Sequence, residues 1–156
     1  MKEDLIGKIN NQIIENLKKT ECMTFEDILI ITKTPRPFLE VLIQQLNESG
    51  KLNKLVLNDL PAVYYLPQKK PEENYIIVST LLKSKLARKI ARLLSEQEKW
   101  TIKQMVKKSN KSFRKVAYHL NNLAKHKVAT EEHGVFKINP PFRKWVLQEL
   151  ERKPEQ

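Results

Sequence analysis

Ser112-Phe113-Arg114-Lys115-Val116-Ala117-Tyr118-His119-Leu120-Asn121-Asn122-Leu123 is the stretch on which the fold turns. Val116, Leu120 and Leu123 recur at spacings of four and three, which places them on one face of an α-helix. Phe113 is expected to join that face. Arg114, Lys115, Tyr118, Asn122 and, just beyond, Lys125 fall mostly on the other side. Such a helix packs by its apolar side and offers its cationic side to water or to a polyanion.

Working outward, the same pattern recurs 77 residues earlier. Thr24-Phe25-Glu26-Asp27-Ile28-Leu29 matches Thr101-Ile102-Lys103-Gln104-Met105-Val106, and Leu39, Ile43 and Leu46 match Val116, Leu120 and Leu123. Thr24 with Asp27, and Thr101 with Gln104, have the spacing of a capping box, so a short helix is predicted to start after each threonine. A longer amphipathic helix precedes each copy. Leu5, Ile9, Ile13 and Leu17 form its stripe in the first, and Leu86, Ile90 and Leu94, joined by Leu93, in the second. A strand, turn, strand pattern follows each third helix. In the first half Leu55-Val56-Leu57 and Ala62-Val63-Tyr64-Tyr65-Leu66 flank Asn58-Asp59-Leu60-Pro61. In the second Val128-Ala129-Thr130 and Val135-Phe136-Lys137-Ile138 flank Glu131-Glu132-His133-Gly134.

Each half thus reads helix, short helix, turn, helix, β-hairpin, an order that resembles a winged helix-turn-helix domain. In the second half Val116, His119, Leu120 and Leu123, followed by Gly134 and Ile138-Asn139-Pro140, resemble the V-x-x-H-L-x-x-L core and wing of bacterial and archaeal ArsR/MarR-type regulators. The resemblance covers residues 82–140, and residues 3–67 by pattern. It implies a DNA-binding fold whose third helix enters the major groove. The cysteine metal box of the arsenic-responsive branch is missing here. The expected fold class is mainly α with small β-hairpins (α+β): two winged helix-turn-helix domains in tandem plus a C-terminal helix.

Charge divides the chain at the same place. Residues 1–67 carry eight Lys or Arg against nine Asp or Glu, whereas residues 68–156 carry 21 against nine, a net of +12. The Pro-bounded polar run Leu66-Pro67-Gln68-Lys69-Lys70-Pro71-Glu72-Glu73-Asn74 reads as a linker. The expected organisation is a near-neutral domain over 1–67, a linker over 68–74, a basic domain over 75–140, and a C-terminal helix and tail over 141–156. Asymmetry of this kind points to one half that meets a polyanion and another with a different task.

In the basic half, base reading is expected from Ser112, Arg114, Lys115 and Tyr118. Arginine can bond guanine O6 and N7 through its two-pronged guanidinium, and the N-terminal turns of a recognition helix lie nearest the base edges. Phosphate contacts are expected from Lys83, Lys85, Arg88, Lys89, Arg92, Lys103, Lys107, Lys108, Lys111, Asn122 and Lys125. The alternative for these charges is a solvated helix face. The acidic wing tip, Glu131-Glu132, suits no phosphate. In the first half the outward positions of the third helix, Arg36, Glu40, Gln44 and Gln45, make a poor phosphate reader, and protein contact is expected through residues 1–67.

Other chemistries lack their signatures. Cys22 is the single cysteine of the 156 residues, which excludes an internal disulfide and any CxxC motif. The three glycines form neither GxGxxG nor GxxxxGK. His119 and His126 stand seven apart, against the three or four of paired helical ligands. His119 is expected to pack beside Leu120, and His126 to cap the helix end. No cofactor, metal or catalytic activity is expected. No apolar run approaches the roughly 20 residues that cross a bilayer, and Met1-Lys2 leads into Glu3 and Asp4. The expected locale is the cytoplasm, with the nucleoid, or the nucleus of a eukaryotic cell.

After the wing, Pro140-Pro141 precedes a helix whose Phe142, Trp145, Val146 and Leu150 share an apolar side. That side either folds back on its own domain or forms a homodimer or partner contact. Two functions stay open. One is a transcription regulator bound to double-stranded DNA. The other is an adaptor subunit of a polymerase, replication or chromosome-condensation assembly that uses its winged helices for protein contact.

Overall fold

The computed structural model describes residues 2–152, and the chain divides into two compact units, Met1–Glu72 and Glu73–Gln156. The tail over 153–156 lies outside the described residues.

The first unit runs α1 (Lys2–Thr20), β1 (Met23–Thr24), α2 (Phe25–Thr32), α3 (Arg36–Glu48), β2 (Asn53–Leu55) and β3 (Val63–Tyr65). The Thr24 hydroxyl accepts from the Asp27 N–H at 3.1 Å and the Asp27 carboxylate accepts from the Thr24 N–H at 3.0 Å. Two donors that the helix start would orphan are thereby satisfied. Lys33, in the left-handed region at φ 53°, ends α2, and α3 then starts after Pro35. Ile9, Ile13 and Leu17 of α1 meet Ile28, Leu39, Leu42, Ile43, Leu46 and Leu52 in one core. Leu5, expected on the same stripe, is 52% exposed. Steps of four residues advance 400° around a helix, so a 5, 9, 13, 17 series winds away from its own centre by about 40° per step. Ile6 takes the packing place instead.

The second unit runs α4 (Glu73–Leu81), α5 (Lys85–Glu96), β4 (Trp100–Thr101), α6 (Ile102–Ser109), α7 (Phe113–Lys125), β5 (Ala129–Glu132), β6 (Val135–Ile138), a 3₁₀ turn (Pro140–Phe142) and α8 (Arg143–Glu151). From β4 to α7 its element boundaries repeat those of β1 to α3 at the offset of 77: α3 over 36–48 and α7 over 113–125 have equal lengths. Lys33 and Asn110 are both left-handed caps. The structure is therefore mainly helical with two antiparallel three-stranded sheets, ordered β1-β3-β2 and β4-β6-β5. Each is a winged helix-turn-helix domain. The central strand, β3 or β6, closes the hairpin and also pairs with the two-residue strand that precedes the short helix, as Phe136 does with Trp100 and with Glu131.

The second hairpin turns on two residues, His133 and Gly134, both at positive φ (54° and 78°), the handedness that matches the twist of the flanking strands. Glu131 and Glu132, expected at the tip, lie in β5. The first hairpin's strands differ from expectation: β2 covers Asn53–Leu55 rather than 55–57, and β3 covers Val63–Tyr65 rather than 62–66.

Three further features differ from expectation. Helix α4 begins at Glu73, inside the stretch read as linker, and buries Tyr75, Ile76 and Val78. Phe113, expected in the core, is 58% exposed. As the first residue of α7 its Cα–Cβ bond tilts towards the helix start, so the ring projects past the packed turns. Finally, the apolar side of α8 is covered by its own unit. Phe142 and Val146 belong to the same buried cluster as Leu94, Leu120 and Phe136, with Trp145 and Leu150 half-buried against it. Helix α8 packs on α4 and α5, so these four residues are not the free dimer or partner face that the sequence allowed. Burying Phe142 and Val146 contributes about 1.5–3 kcal/mol each, which a monomer gains without any partner.

Candidate nucleic-acid interface

Helix α7 is held by Val116, Leu120 and Leu123, all buried, and it packs against α5, α6 and β5. Its first turn is closed by Ser112, whose hydroxyl accepts from the Lys115 N–H at 3.3 Å. The Ser112 side chain remains exposed, and its own O–H is free to donate outward. With that face fixed, the 100° turn per residue sends Arg114, Tyr118, Asn121 and Lys125 out together along the opposite side, with Lys115 and half-buried Asn122 beside them. Tyr118 is 63% exposed, and its ring meets His119 edge-on at 5.2 Å.

Asn121 was not among the base-reading expectations, yet it lies in the middle of this row. The signal was present: 114, 118, 121 and 125 follow steps of four, three and four. Exposed Phe113 borders the row on the other side and can contact a thymine methyl or a sugar.

The remaining cations arrive from two other helices. Lys85, Lys89 and Arg92 are exposed on α5, and Lys103, Lys107 and Lys108 on α6, where the last two also offset the negative helix end. Lys83 and Lys111 are exposed just before α5 and α7. The Lys89 ammonium donates to the Ser109 carbonyl at 3.2 Å, tying α5 to the end of α6 and leaving it two further donors.

Arg88 is the exception and a correction. It was expected to meet phosphate, but its side chain is only 13% exposed and faces α8. Its guanidinium donates to the carbonyls of Glu149 at 3.1 Å and Arg152 at 2.9 Å and lies 4.0 Å from the Glu149 carboxylate. The last carbonyls of α8 have no intrahelical donor, so Arg88 serves as their cap. Arg152 completes the cluster: it donates to the Tyr75 hydroxyl and lies 4.9 Å above that ring. Burial pushes the Glu149 carboxyl above its ordinary range, against the opposing pull of Arg152, Arg88 and Lys83.

Lys85, Lys89, Lys111 and Lys115, from α5, the loop before α7 and α7 itself, also converge on one open pocket of about 350 Å³. Ser84, Leu86 and His119 complete its wall. Burial holds His119 below the ordinary imidazole range. His126 caps the C-terminal end of α7. Among the described residues no group of three or more His, Cys, Asp or Glu is placed to hold a metal.

The first unit presents a different surface. Arg36, its one cation at the start of α3, is paired with Glu26 at 2.5 Å and stacked 5.2 Å over the Phe25 ring. That pairing raises its pKa further. Exposed Glu40, Val41, Gln44 and Gln45 follow along α3, a mixed surface without the cationic row of α7. The wing of the second unit exposes Glu131 and Glu132, which repel phosphate. No described helix is long and apolar enough to cross a membrane.

Fold and face together define a two-domain winged-helix protein with one cationic domain. Two solved structures share features of it. The mRNA-binding domain of elongation factor SelB from E. coli, solved in complex with SECIS RNA, aligns over 86% of this chain and 97% of its own at 16% identity and a TM-score of 0.31. A chain of the Nse1-Nse3-Nse4 complex aligns over 86% of this chain and 69% of its own at 12% identity and a TM-score of 0.32. No family model matches the sequence, and no curated protein does.

Proposed function

We propose that this chain binds nucleic acid through its second unit, that the preferred form is double-stranded DNA with α7 in the major groove, and that it acts as a transcription regulator. The observation that carries the reading is the row Arg114, Tyr118, Asn121 and Lys125, turned outward by a buried Val116-Leu120-Leu123 face and bordered by lysines of α5 and α6. The major groove admits a helix, and Arg and Asn are the side chains that read guanine and adenine edges with paired hydrogen bonds. Lysines around it supply affinity without sequence preference. The resemblance of α7 to ArsR/MarR-type recognition helices supports the same assignment. With the apolar side of α8 occupied, pairing of two copies on half-sites about one helical turn apart falls to the first unit.

A second reading has its own observation. The first unit pairs its α3 cation internally and shows a mixed helix face of Glu40, Val41, Gln44 and Gln45. That suits protein contact and hence an adaptor in a larger assembly. The proposal is of a binding protein, without a catalytic role.

The test is selection of duplex fragments by the full-length chain at near-physiological salt, repeated with Arg114→Ala and with Lys107→Ala. Arg114→Ala should relax preference at one or two positions by about 1–3 kcal/mol, while Lys107→Ala should weaken all sequences alike and reduce the salt slope by about 1. Selection of no sequence, with binding that appears only beside a protein partner, favours the adaptor. Preference unchanged by Arg114→Ala removes α7 from the groove.

A further inference from the structure

The pocket between the first turns of α5 and α7 is more than a stretch of phosphate-tracking surface. Four ammonium groups, Lys85, Lys89, Lys111 and Lys115, border it, and no acidic residue does. Like charges brought to one concavity repel one another, and an anion inside would offset that cost. The rest of the wall is Leu86, the His119 ring, the Ser84 hydroxyl and the lysine stems. Leu86 and His119 are half-buried, so an aliphatic side chain and an imidazole ring, not mobile tips, line the space. The space, about 350 Å³, lies at the small end of the range for small-molecule pockets and exceeds the needs of a single phosphate group.

A phosphodiester inside a duplex reaches the rim of such a site more readily than its floor. It is flanked by sugars on both sides and rides on a convex ridge, so it meets open surface such as that of α6. A phosphate at a chain end is free on one side. It also carries about −1.5 to −2 charge near neutral pH, as phosphomonoesters do, against −1 for a diester.

We infer that this pocket takes a nucleoside phosphomonoester, its phosphate among Lys85, Lys89, Lys111 and Lys115 and its base against Leu86 and the His119 ring. Beyond the His119 ring nitrogens and the Ser84 hydroxyl the wall offers a base edge no hydrogen-bond groups apart from the ammonium groups that hold the phosphate, so stacking and not edge reading sets the affinity for the base. The same chemistry has two sources: the 5′ end of a strand bound by α7, or a free nucleotide acting as a ligand of the domain. The first source rests on the nucleic-acid reading above; the second does not.

Full-length protein is titrated with two duplexes of one sequence, 3′-labelled, one with 5′-phosphate and one with 5′-hydroxyl ends. Separately, adenosine 5′-monophosphate, adenosine and inorganic phosphate are titrated and followed by calorimetry and by the His119 ring signals. The strand-end source requires the phosphorylated duplex to bind about tenfold more tightly, the scale of one to two added charge-assisted bonds. Lys85→Ala and Lys111→Ala should each abolish that preference, and Lys108→Ala, on α6, should leave it. The free-nucleotide source requires equal duplex affinities but saturable binding of adenosine monophosphate, tighter than inorganic phosphate, that moves the His119 signals and is lost in Lys85→Ala. Monophosphate binding without any duplex binding supports the pocket and removes the nucleic-acid reading. Equal duplexes, with adenosine monophosphate bound no better than adenosine, overturn the inference even where salt-dependent duplex binding persists.

Discussion

Arg88→Ala separates the architecture found here from a simple count of cations. In the folded chain this guanidinium makes charge-assisted hydrogen bonds to two carbonyls at 2.9 and 3.1 Å and sits 4.0 Å from the Glu149 carboxylate. Its loss leaves the Glu149 carbonyl with the Arg152 N–H at 3.2 Å as its remaining backbone donor, and the Glu149 carboxylate with the Arg152 guanidinium, 3.9 Å away, as its remaining cation among those pairs. A hydrogen bond to a charged group is worth about 1.5–3 kcal/mol, and breaking a buried pair about 3–5 kcal/mol. Because Arg152 stays and the carbonyls near the helix end regain some water, the expected destabilisation is about 2–4 kcal/mol. For a unit of this size that lowers the unfolding midpoint by at least about 8 °C. Both tryptophans, Trp100 and Trp145, belong to the second unit, so tryptophan fluorescence follows its unfolding separately. Nucleic-acid affinity at a temperature where the variant is folded should be unchanged, and so should its salt slope. A normal unfolding midpoint together with a salt slope shallower by about 1 would mean that Arg88 meets phosphate after all, and the capping argument would be wrong.

Two further outcomes concern pH. Burial raises the Glu149 carboxyl above its unfolded value, so the folded state holds that proton more tightly; the associated stability is complete at pH below the unfolded pKa and is lost as pH rises through the folded one. Thermal unfolding of wild type between pH 4 and 7 should carry this downward component, and Glu149→Gln should lose it; an identical pH profile for the two proteins refutes the assignment. His119, lowered by burial, faces Lys85, Lys89, Lys111 and Lys115 with the Tyr118 ring edge-on, and a bound phosphate raises its pKa relative to the free protein. The pH profile of affinity for a phosphate-bearing ligand should therefore carry a component that strengthens binding as the imidazole gains its proton, and His119→Gln should remove that component; a profile unaltered by the substitution sets His119 apart from the ligand.

Much of this molecule is written in local periodicity. The buried rows of α3 and α7, the two capping boxes and the place of Gly134 in the second turn follow from the covalent geometry of the chain, and the charge step near residue 68 from its composition. A helix turns 100° per residue, a threonine can cap only its own first turn, and a glycine accepts positive φ wherever it stands. Spacing alone therefore carried the order of elements other than α4 and the outward side of α7, on which Asn121 also lies although no role was expected of it. Helix α4 was missed because it is covered on several sides. Tyr75, Ile76, Ile77 and Val78 run without the polar interruptions that mark an amphipathic helix. Leu5 was misplaced because steps of four drift around the helix, and Phe113 because a spacing rule says which way a side chain points but not whether another element reaches that far along the axis.

What only the tertiary structure decided is the use of each charge. Lys85, Arg88 and Lys89 stand within one turn of α5 and are equivalent as letters. Arg88 faces the carbonyls of residues 149 and 152 and is spent inside the fold, whereas Lys85 and Lys89 converge with Lys111 and Lys115 on an open pocket. Those neighbours lie some 20 to 64 residues away along the chain, among them the Ser109 carbonyl that Lys89 engages. A cation's role is set by the groups within a few ångströms of its head, and packing, not sequence spacing, chooses those groups.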